Sequence, residues 1–427
     1  MSQRSYTVAV IGILLASLML RAGAAVWWQQ RLDRTDSRFV FGDSESYWVL
    51  ATQIASGLPY QYGGPDASVF RVPLYPMCLS LLIDPASPSD GILWARLFGC
   101  VMGTLAVGAV IVLTSWMFDR RSALVTGVLA SIYPGGISMS ILILSEAIFI
   151  LLMILHLMFW RQAYLEERDR ASVGWSLAGG AVAGLAVLAR PSWLLFVPFA
   201  CLFQLLTGAY RRTVLIGLCS AIGMAIVMMP WWIRNYHITD KFVLTTLQVG
   251  ASMYDGLGPQ ATGASDTGMS FVERFQSEQR AADAESAELD GTFEYRLDRR
   301  MSAASKKWVI DNPGRVIQLA AVKFGRIWRP WPTAEEVPGR FIRIGTAAGM
   351  LMIVIPAMIG LWQYRDNAWP IYLIALPTLY FTALHCVSIG SMRYRLPAVF
   401  LLTIIAAPVI AGWISKIAQR SYGRSLG

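Results

Sequence analysis

Residues 141–159 read ILILSEAIFILLMILHLMF, an apolar run interrupted by one acid, Glu146. About 20 such residues cross the hydrocarbon core of a bilayer as a helix, so the run reads as a transmembrane span. The whole chain has the same character. Of its 427 residues 55% are hydrophobic and 15% charged, whereas a soluble domain carries roughly 25% charged residues. No water-soluble sphere of this size could bury that apolar load. A soluble enzyme, a disordered chain and a fibrous repeat are excluded, which leaves an all-α polytopic membrane protein.

Ten spans are predicted, at 7–28, 91–117, 121–138, 139–160, 172–189, 191–207, 212–231, 341–362, 369–388 and 394–413. Tyr133-Pro134-Gly135-Gly136 divides the third from the fourth, and Arg190-Pro191 divides the fifth from the sixth. The first contains Arg21, runs into Trp27-Trp28 and lacks a small-residue cleavage site, so it reads as a retained helix. The net charge of +9 bears on orientation before it bears on nucleic acid. With the N-terminus inside, twelve Lys and Arg fall in cytoplasmic loops and tails, and the short outer turns hold only Arg190, Arg393 and Arg395. Both termini are therefore expected inside, in a cytoplasmic (inner) membrane, with the site facing outward.

Three regions follow. Residues 1–231 carry spans one to seven and a first outer loop, 29–90. Residues 232–340 form a small outer-facing segment, whose stretch 240–300 holds eleven of the 27 acids. Residues 341–427 carry the last three spans and a short tail. Within the second region, 302–330 reads as an amphipathic helix pair broken at Asn312-Pro313 and lying on the membrane surface. The five cysteines are scattered through apolar segments, and the three histidines are far apart, so no metal cluster is expected.

The chemistry-bearing residues are few. Phe41-Gly42-Asp43-Ser44-Glu45-Ser46-Tyr47 precedes a predicted interfacial helix over 45–56. Asp43 either caps that helix or pairs with Glu45 as a base or ligand at the membrane boundary. Glu146, counted from Gly136, falls ten residues down a helix, roughly 15 Å at 1.5 Å per residue. An acid at that depth marks a polar cavity or is locked to an arginine. Arg71, Arg96, Arg190, Arg234, Arg393 and Arg395 all fall at outer helix ends or loops. Guanidinium forks suit phosphate, so arginines and acids gathered on one side suggest a cavity for an anionic, partly lipidic substrate. For any single arginine, head-group anchoring is the alternative.

The stretch Asp43…Tyr47…Ala51…Gly57 and then Arg71-Val72-Pro73-Leu74-Tyr75-Pro76 resembles the first outer loop of GT-C fold glycosyltransferases. It is most similar to the bacterial branch related to protein O-mannosyltransferases and lipid A aminoarabinose transferase (family 39-like). Leu144-Ser145-Glu146, Ala189-Arg190-Pro191, Pro230-Trp231-Trp232-Ile233-Arg234-Asn235-Tyr236, Asp311-Asn312-Pro313 and Arg393-Tyr394-Arg395-Leu396-Pro397 follow in order.

The resemblance implies a membrane glycosyltransferase that uses a polyprenyl-phosphate-linked sugar, with Asp43 as base. Many relatives have a second acid directly after the first, whereas this chain has Ser44 and then Glu45. Tyr47, Arg71, Tyr75, Glu146, Arg190, Arg234, Arg393 and Arg395 are the expected substrate contacts. A single carboxylate base implies inversion at the anomeric carbon. The acceptor is left open as lipid, glycan or protein, and a divalent cation (Mg or Mn) at Asp43 and Glu45 remains an option. Membrane lipids are expected partners and nucleic acid is not. The rival readings are a transporter or flippase of lipid-linked glycans, and a non-catalytic scaffold of the same fold.

Overall fold

The computed structural model describes residues 1–424 other than 36, 207, 267, 333–338 and 368. The described residues form helices and turns, with no strand. Among the described residues seven helices are long and apolar enough to cross a membrane, which makes the chain an integral multi-pass membrane protein. They are α1 (Gln3–Asp33), α4 (Gly91–Met117), α7 (Glu146–Leu165), α8 (Asp169–Ala189), α10 (Tyr210–Thr239), α15 (Arg340–Gln363) and α17 (Leu396–Arg424). α5 (Arg120–Ile132) and α6 (Pro134–Ile141) form an apolar pair bent by 56°, a broken span or a re-entrant loop. The expected spans at 191–207 and 369–388 are shorter apolar helices, α9 (Phe196–Leu205) and α16 (Trp369–Val387).

The bend between α5 and α6 explains a buried charge. Pro134 has no N–H, so Ala130 O loses the partner that a continuous helix would give it. Arg21 of α1 replaces that partner: its guanidinium donates to Ala130 O at 3.1 Å, Ser131 O at 3.2 Å, Ser17 Oγ at 2.6 Å and Ser140 Oγ at 3.2 Å. Backbone groups at membrane depth must be satisfied inside the protein. A second break follows at Leu142, whose extended backbone ends α6. Arg96 supplies the freed carbonyl of Ile141 at 2.7 Å, and also donates to Gln29 Oε1 and Arg38 O.

This second break corrects the position of Glu146. It does not lie ten residues down a helix; it is the first residue of α7. The spacing argument assumed a helix continuous from Gly136. The chain instead leaves helical geometry over 142–145 and starts again with the carboxylate at a helix N-terminus, where the backbone dipole favours it.

The first outer loop carries α2 (Gly42–Ala55) and α3 (Leu74–Ser80). α2 starts three residues before the expected 45–56 helix, so Asp43 and Glu45 fall within its first turn. Phe41 stands at the cap without a side-chain bond, which removes the capping role for Asp43. Tyr47, Leu50 and Ala51 are buried as the helical spacing predicts, and Tyr47 meets Tyr75 of α3 edge-on at 5.2 Å.

The second outer segment contains α11 (Val249–Gly256), α12 (Phe271–Glu285), α13 (Phe293–Asp311) and α14 (Pro313–Trp328). The break at Asn312-Pro313 falls where the sequence puts it. Ala251, Phe271, Phe275, Leu297 and Met301 form a small core of their own. Glu294 joins this segment to the first loop: its carboxylate accepts from Ser68 N at 2.9 Å and Val69 N at 3.0 Å. Arg234, at the end of α10, holds the same loop by donating to Ser68 O at 3.1 Å and Tyr60 O at 3.3 Å.

Burial pushes the Glu294 carboxyl up to about 7, although the two backbone N–H groups pull the other way. A carboxyl raised in the fold favours folding while it is protonated. That contribution is present below the ordinary glutamate value of 4.5 and is lost as pH rises through about 7. Thermal unfolding in detergent should therefore show the parent losing stability from about pH 5 to about pH 8 relative to Glu294→Gln. Parallel curves for the two proteins would contradict the assignment.

Candidate active site

Three arginines and two carboxylates meet between the first outer loop and the helix ends. Each arrives by a local rule. Arg190 precedes Pro191, and that proline ends α8 and leaves Arg190 extended. Arg393 stands in a 3-10 turn over Met392–Arg395, where Ser391 Oγ accepts from its backbone N–H. Arg71 precedes the Pro73 that opens α3. Asp43 lies in the first turn of α2, and Glu146 opens α7.

The five side chains form an alternating chain. Arg71 Nη2 reaches Asp43 Oδ1 at 2.6 Å, and Arg393 Nη2 reaches Asp43 Oδ2 at 2.6 Å. Arg393 Nε then reaches Glu146 Oε1 at 2.9 Å, and Arg190 Nη1 reaches the same oxygen at 2.6 Å. Three guanidiniums against two carboxylates leave the cluster positive. Asp43 is 29% exposed and Glu146 1%, so the open end of the chain is at Asp43 and the closed end at Glu146. Burial alone would raise the Asp43 carboxyl; Arg71 and Arg393 outweigh it and hold that carboxyl well below the usual range.

Aromatic rings fix the guanidiniums. Arg71 lies over Tyr47 with Cζ 5.5 Å from the ring centre. Tyr394 is shared, with Arg190 at 5.3 Å and Arg393 at 5.4 Å. His385 stacks beneath Tyr394 at 3.9 Å. Ser46 Oγ accepts from Arg71 Nε, and Tyr47 OH donates to Ser145 Oγ, tying α2 to the residue before Glu146. Tyr394, His385, Ser46 and Ser145 were given no role by the sequence reading. Tyr394 between two charged neighbours was the one visible signal.

The structure separates the expected residues into two groups. Asp43, Tyr47, Arg71, Glu146, Arg190 and Arg393 are together. Arg96, Arg234 and Arg395 do not join the ion-pair chain that the shared outer cavity would need. Arg96 and Arg234 hold backbone as described above, and Arg395 donates to Ile327 O and to Arg329 O at 2.7 Å. Tyr75 is fully buried against Tyr47. Glu45 is exposed.

Residues 82–244 match the family model described as dolichyl-phosphate-mannose-protein mannosyltransferase. No curated protein matches the chain. Among solved structures, the chain is similar to the oligosaccharyltransferase AglB of Archaeoglobus fulgidus in complex with an inhibitory peptide and a dolichol-phosphate. The identity is 15% and the TM-score 0.56, over 97% of this chain and 52% of that one. The oligosaccharyltransferase of the same organism tethered to an acceptor peptide gives 11% identity and a TM-score of 0.58, over 98% and 51%. ArnT from Cupriavidus metallidurans bound to undecaprenyl phosphate gives 15% identity and a TM-score of 0.44, over 96% and 78%. The chain spans about half the length of the oligosaccharyltransferases. The fold is thus that of the GT-C glycosyltransferases, as the loop and arginine motifs imply. The matched family segment contains Glu146 and Arg190 but neither Asp43, Arg71 nor Arg393.

Removing one partner of a buried ion pair leaves the other uncompensated, at about 3–5 kcal/mol. Glu146→Gln should therefore lower the unfolding temperature clearly. The double change Glu146→Gln with Arg190→Gln should recover part of the loss, since it withdraws one stranded cation. A double variant no better than the single one would show that Arg190 is held by something other than Glu146.

Proposed function

We propose that this protein is an inverting glycosyltransferase that moves a sugar from a polyprenyl-phosphate carrier to a lipid, glycan or protein acceptor at the outer face of the inner membrane. One observation carries the reading: the open end of a positively charged cluster is a carboxylate bridged by two arginines. Such an end suits a phosphate and a reacting hydroxyl side by side. The GT-C fold, seen also in structures bound to dolichol-phosphate, supports it.

In the reaction, the bond between the anomeric carbon and the phosphate oxygen breaks, and its electron pair leaves with polyprenyl phosphate. The acceptor oxygen bonds to the anomeric carbon from the opposite side, and its proton passes to Asp43. A carboxylate clamped by two guanidiniums is a weak base. The donor phosphate competes for the same guanidiniums, and each contact it takes from Arg71 or Arg393 raises the proton affinity of Asp43. Donor binding thereby activates the base and also stabilises the departing charge. The apolar helix walls receive the prenyl tail. A divalent ion at Asp43 and Glu45 fits this arrangement poorly, because both Asp43 oxygens already accept from guanidiniums. No step is drawn through one.

Purified protein incubated with a panel of polyprenyl-phosphate sugars should release polyprenyl phosphate from one of them. Asp43→Asn should bind that donor yet turn over slower by roughly 10²-fold or more, with a smaller loss in Glu45→Gln. Normal turnover by Asp43→Asn would remove it as the base. For orientation, a cysteine near residue 265 should label from outside intact cells and one near residue 166 should not. The reverse pattern would place the site on the inner face.

A further inference from the structure

α14 is built inside out. Its buried stripe is Leu319, Lys323 and Ile327, spaced one helical turn apart, and Lys323 in the middle is 0% exposed. On another side Ile317 is 73% exposed and Phe324 53%. A helix with water on its outer side puts lysine out and phenylalanine in. The inversion makes sense if the outside is not water and the lysine is needed inside.

Several contacts place α14 beside the membrane-embedded helices. Trp328 Nε1 donates to Thr382 Oγ1 of α16 at 3.1 Å. Arg395, at the entry to α17, donates to Ile327 O. Spanning helix α15 begins at Arg340, soon after α14 ends at Trp328. Lys306, Lys307 and Arg315 are exposed around the junction with α13, where they suit lipid phosphates.

Inside, Lys323 Nζ donates to Gly256 O and to Val387 O, each at 2.9 Å. Gly390 lies directly on it: a Cβ there would come within 2.8 Å of Lys323 Cα. Arg326 Nε donates to Gly390 O at 3.2 Å, and Gly390 N donates to Gly263 O at 3.0 Å. The turn after α16 is thus gripped by α14 just before it delivers Arg393 to Asp43 and Glu146.

We propose that α14 is an interfacial helix with Ile317 and Phe324 in the lipid head-group region, and that Lys323 is a positioning residue that holds the 387–391 turn so that Arg393 reaches the two carboxylates. The proposal deepens the glycosyltransferase reading, on which only the donor-binding arm of its test rests.

Hydrogen exchange tests the grip without any ligand. Lys323→Met should speed exchange of the 388–393 amides by about tenfold, the equivalent of one lost hydrogen bond, while Lys306→Met should not. Gly390→Ala should reproduce the effect from the other side. Polyprenyl phosphate should bind Lys323→Met about tenfold more weakly at a temperature where the variant is still fully folded, and Lys323→Arg should restore it. Unaltered exchange in both Lys323→Met and Gly390→Ala would overturn the positioning role. Faster exchange in a protein whose parent binds no polyprenyl phosphate would support positioning and count against the glycosyltransferase reading instead. For the lipid contact, a fluorophore on a cysteine replacing Phe324, in a background without the native cysteines, should be quenched by brominated lipids in phosphatidylglycerol-containing vesicles. The same probe at residue 288 should be quenched by aqueous iodide. Iodide quenching at residue 324 would overturn the interfacial placement.

Discussion

A carboxylate at 1% exposure inside a membrane bundle is tolerable only if cations come to it, and Glu146 receives two. The remaining site geometry depends on that requirement. Arg190 comes from the end of α8 and Arg393 from the turn before α17, so the carboxylate joins segments about two hundred residues apart in the chain. Arg393 also places Nη2 on Asp43, which extends the chain of charges from the closed interior to the open first loop. Arg71 then closes the outer end. Neither carboxylate can be removed without stranding a guanidinium at its end of the chain, Arg71 beyond Asp43 or Arg190 beyond Glu146.

The other buried cations obey a different rule. Among the described residues Arg21, Arg96 and Lys323 donate to backbone carbonyls at helix ends and breaks and to no carboxylate, and Arg395 also donates to such carbonyls. A bundle that bends an apolar helix pair at Pro134 and starts a span at Glu146 strands carbonyl oxygens where water is scarce. A guanidinium with five N–H donors, or an ammonium with three, can serve several of them at once. Broken helices, which allow side chains to converge at one level, are thereby made affordable.

This division was only half legible in the sequence. Hydropathy gave the membrane class and located every long span, because about twenty apolar residues are a strong signal. The break at Asn312-Pro313 and the turn at Tyr133-Pro134 were also readable, since proline has a local mechanism. The break at Leu142 was not, because Ile-Leu-Ile-Leu carries no turn residue and is imposed by tertiary contacts such as Arg96 on Ile141 O. Missing it put Glu146 in mid-helix. Among the arginines, sequence position on the outer side could not separate Arg190 and Arg393, which meet carboxylates, from Arg96 and Arg234, which meet carbonyls. All four stand near helix ends, and the choice of acceptor is made by which segment folds opposite.

The two kinds of buried cation also differ in how free they are to respond to a ligand. An arginine bound to several carbonyls has acceptors that cannot move without shifting a helix end, so its position is fixed by the fold. Arg71 and Arg393 instead bind a carboxylate at the open end, where phosphate oxygens offer an equivalent partner with the same bidentate fit. Exchange of one anionic partner for another costs little reorganisation. On the proposed reading, a phosphate would draw on Arg71 and on the Nη2 of Arg393, while Arg190 and the Nε of Arg393 stay with the enclosed Glu146. On that reading the response would sit at the Asp43 end, where the carboxylate is 29% exposed against 1% for Glu146.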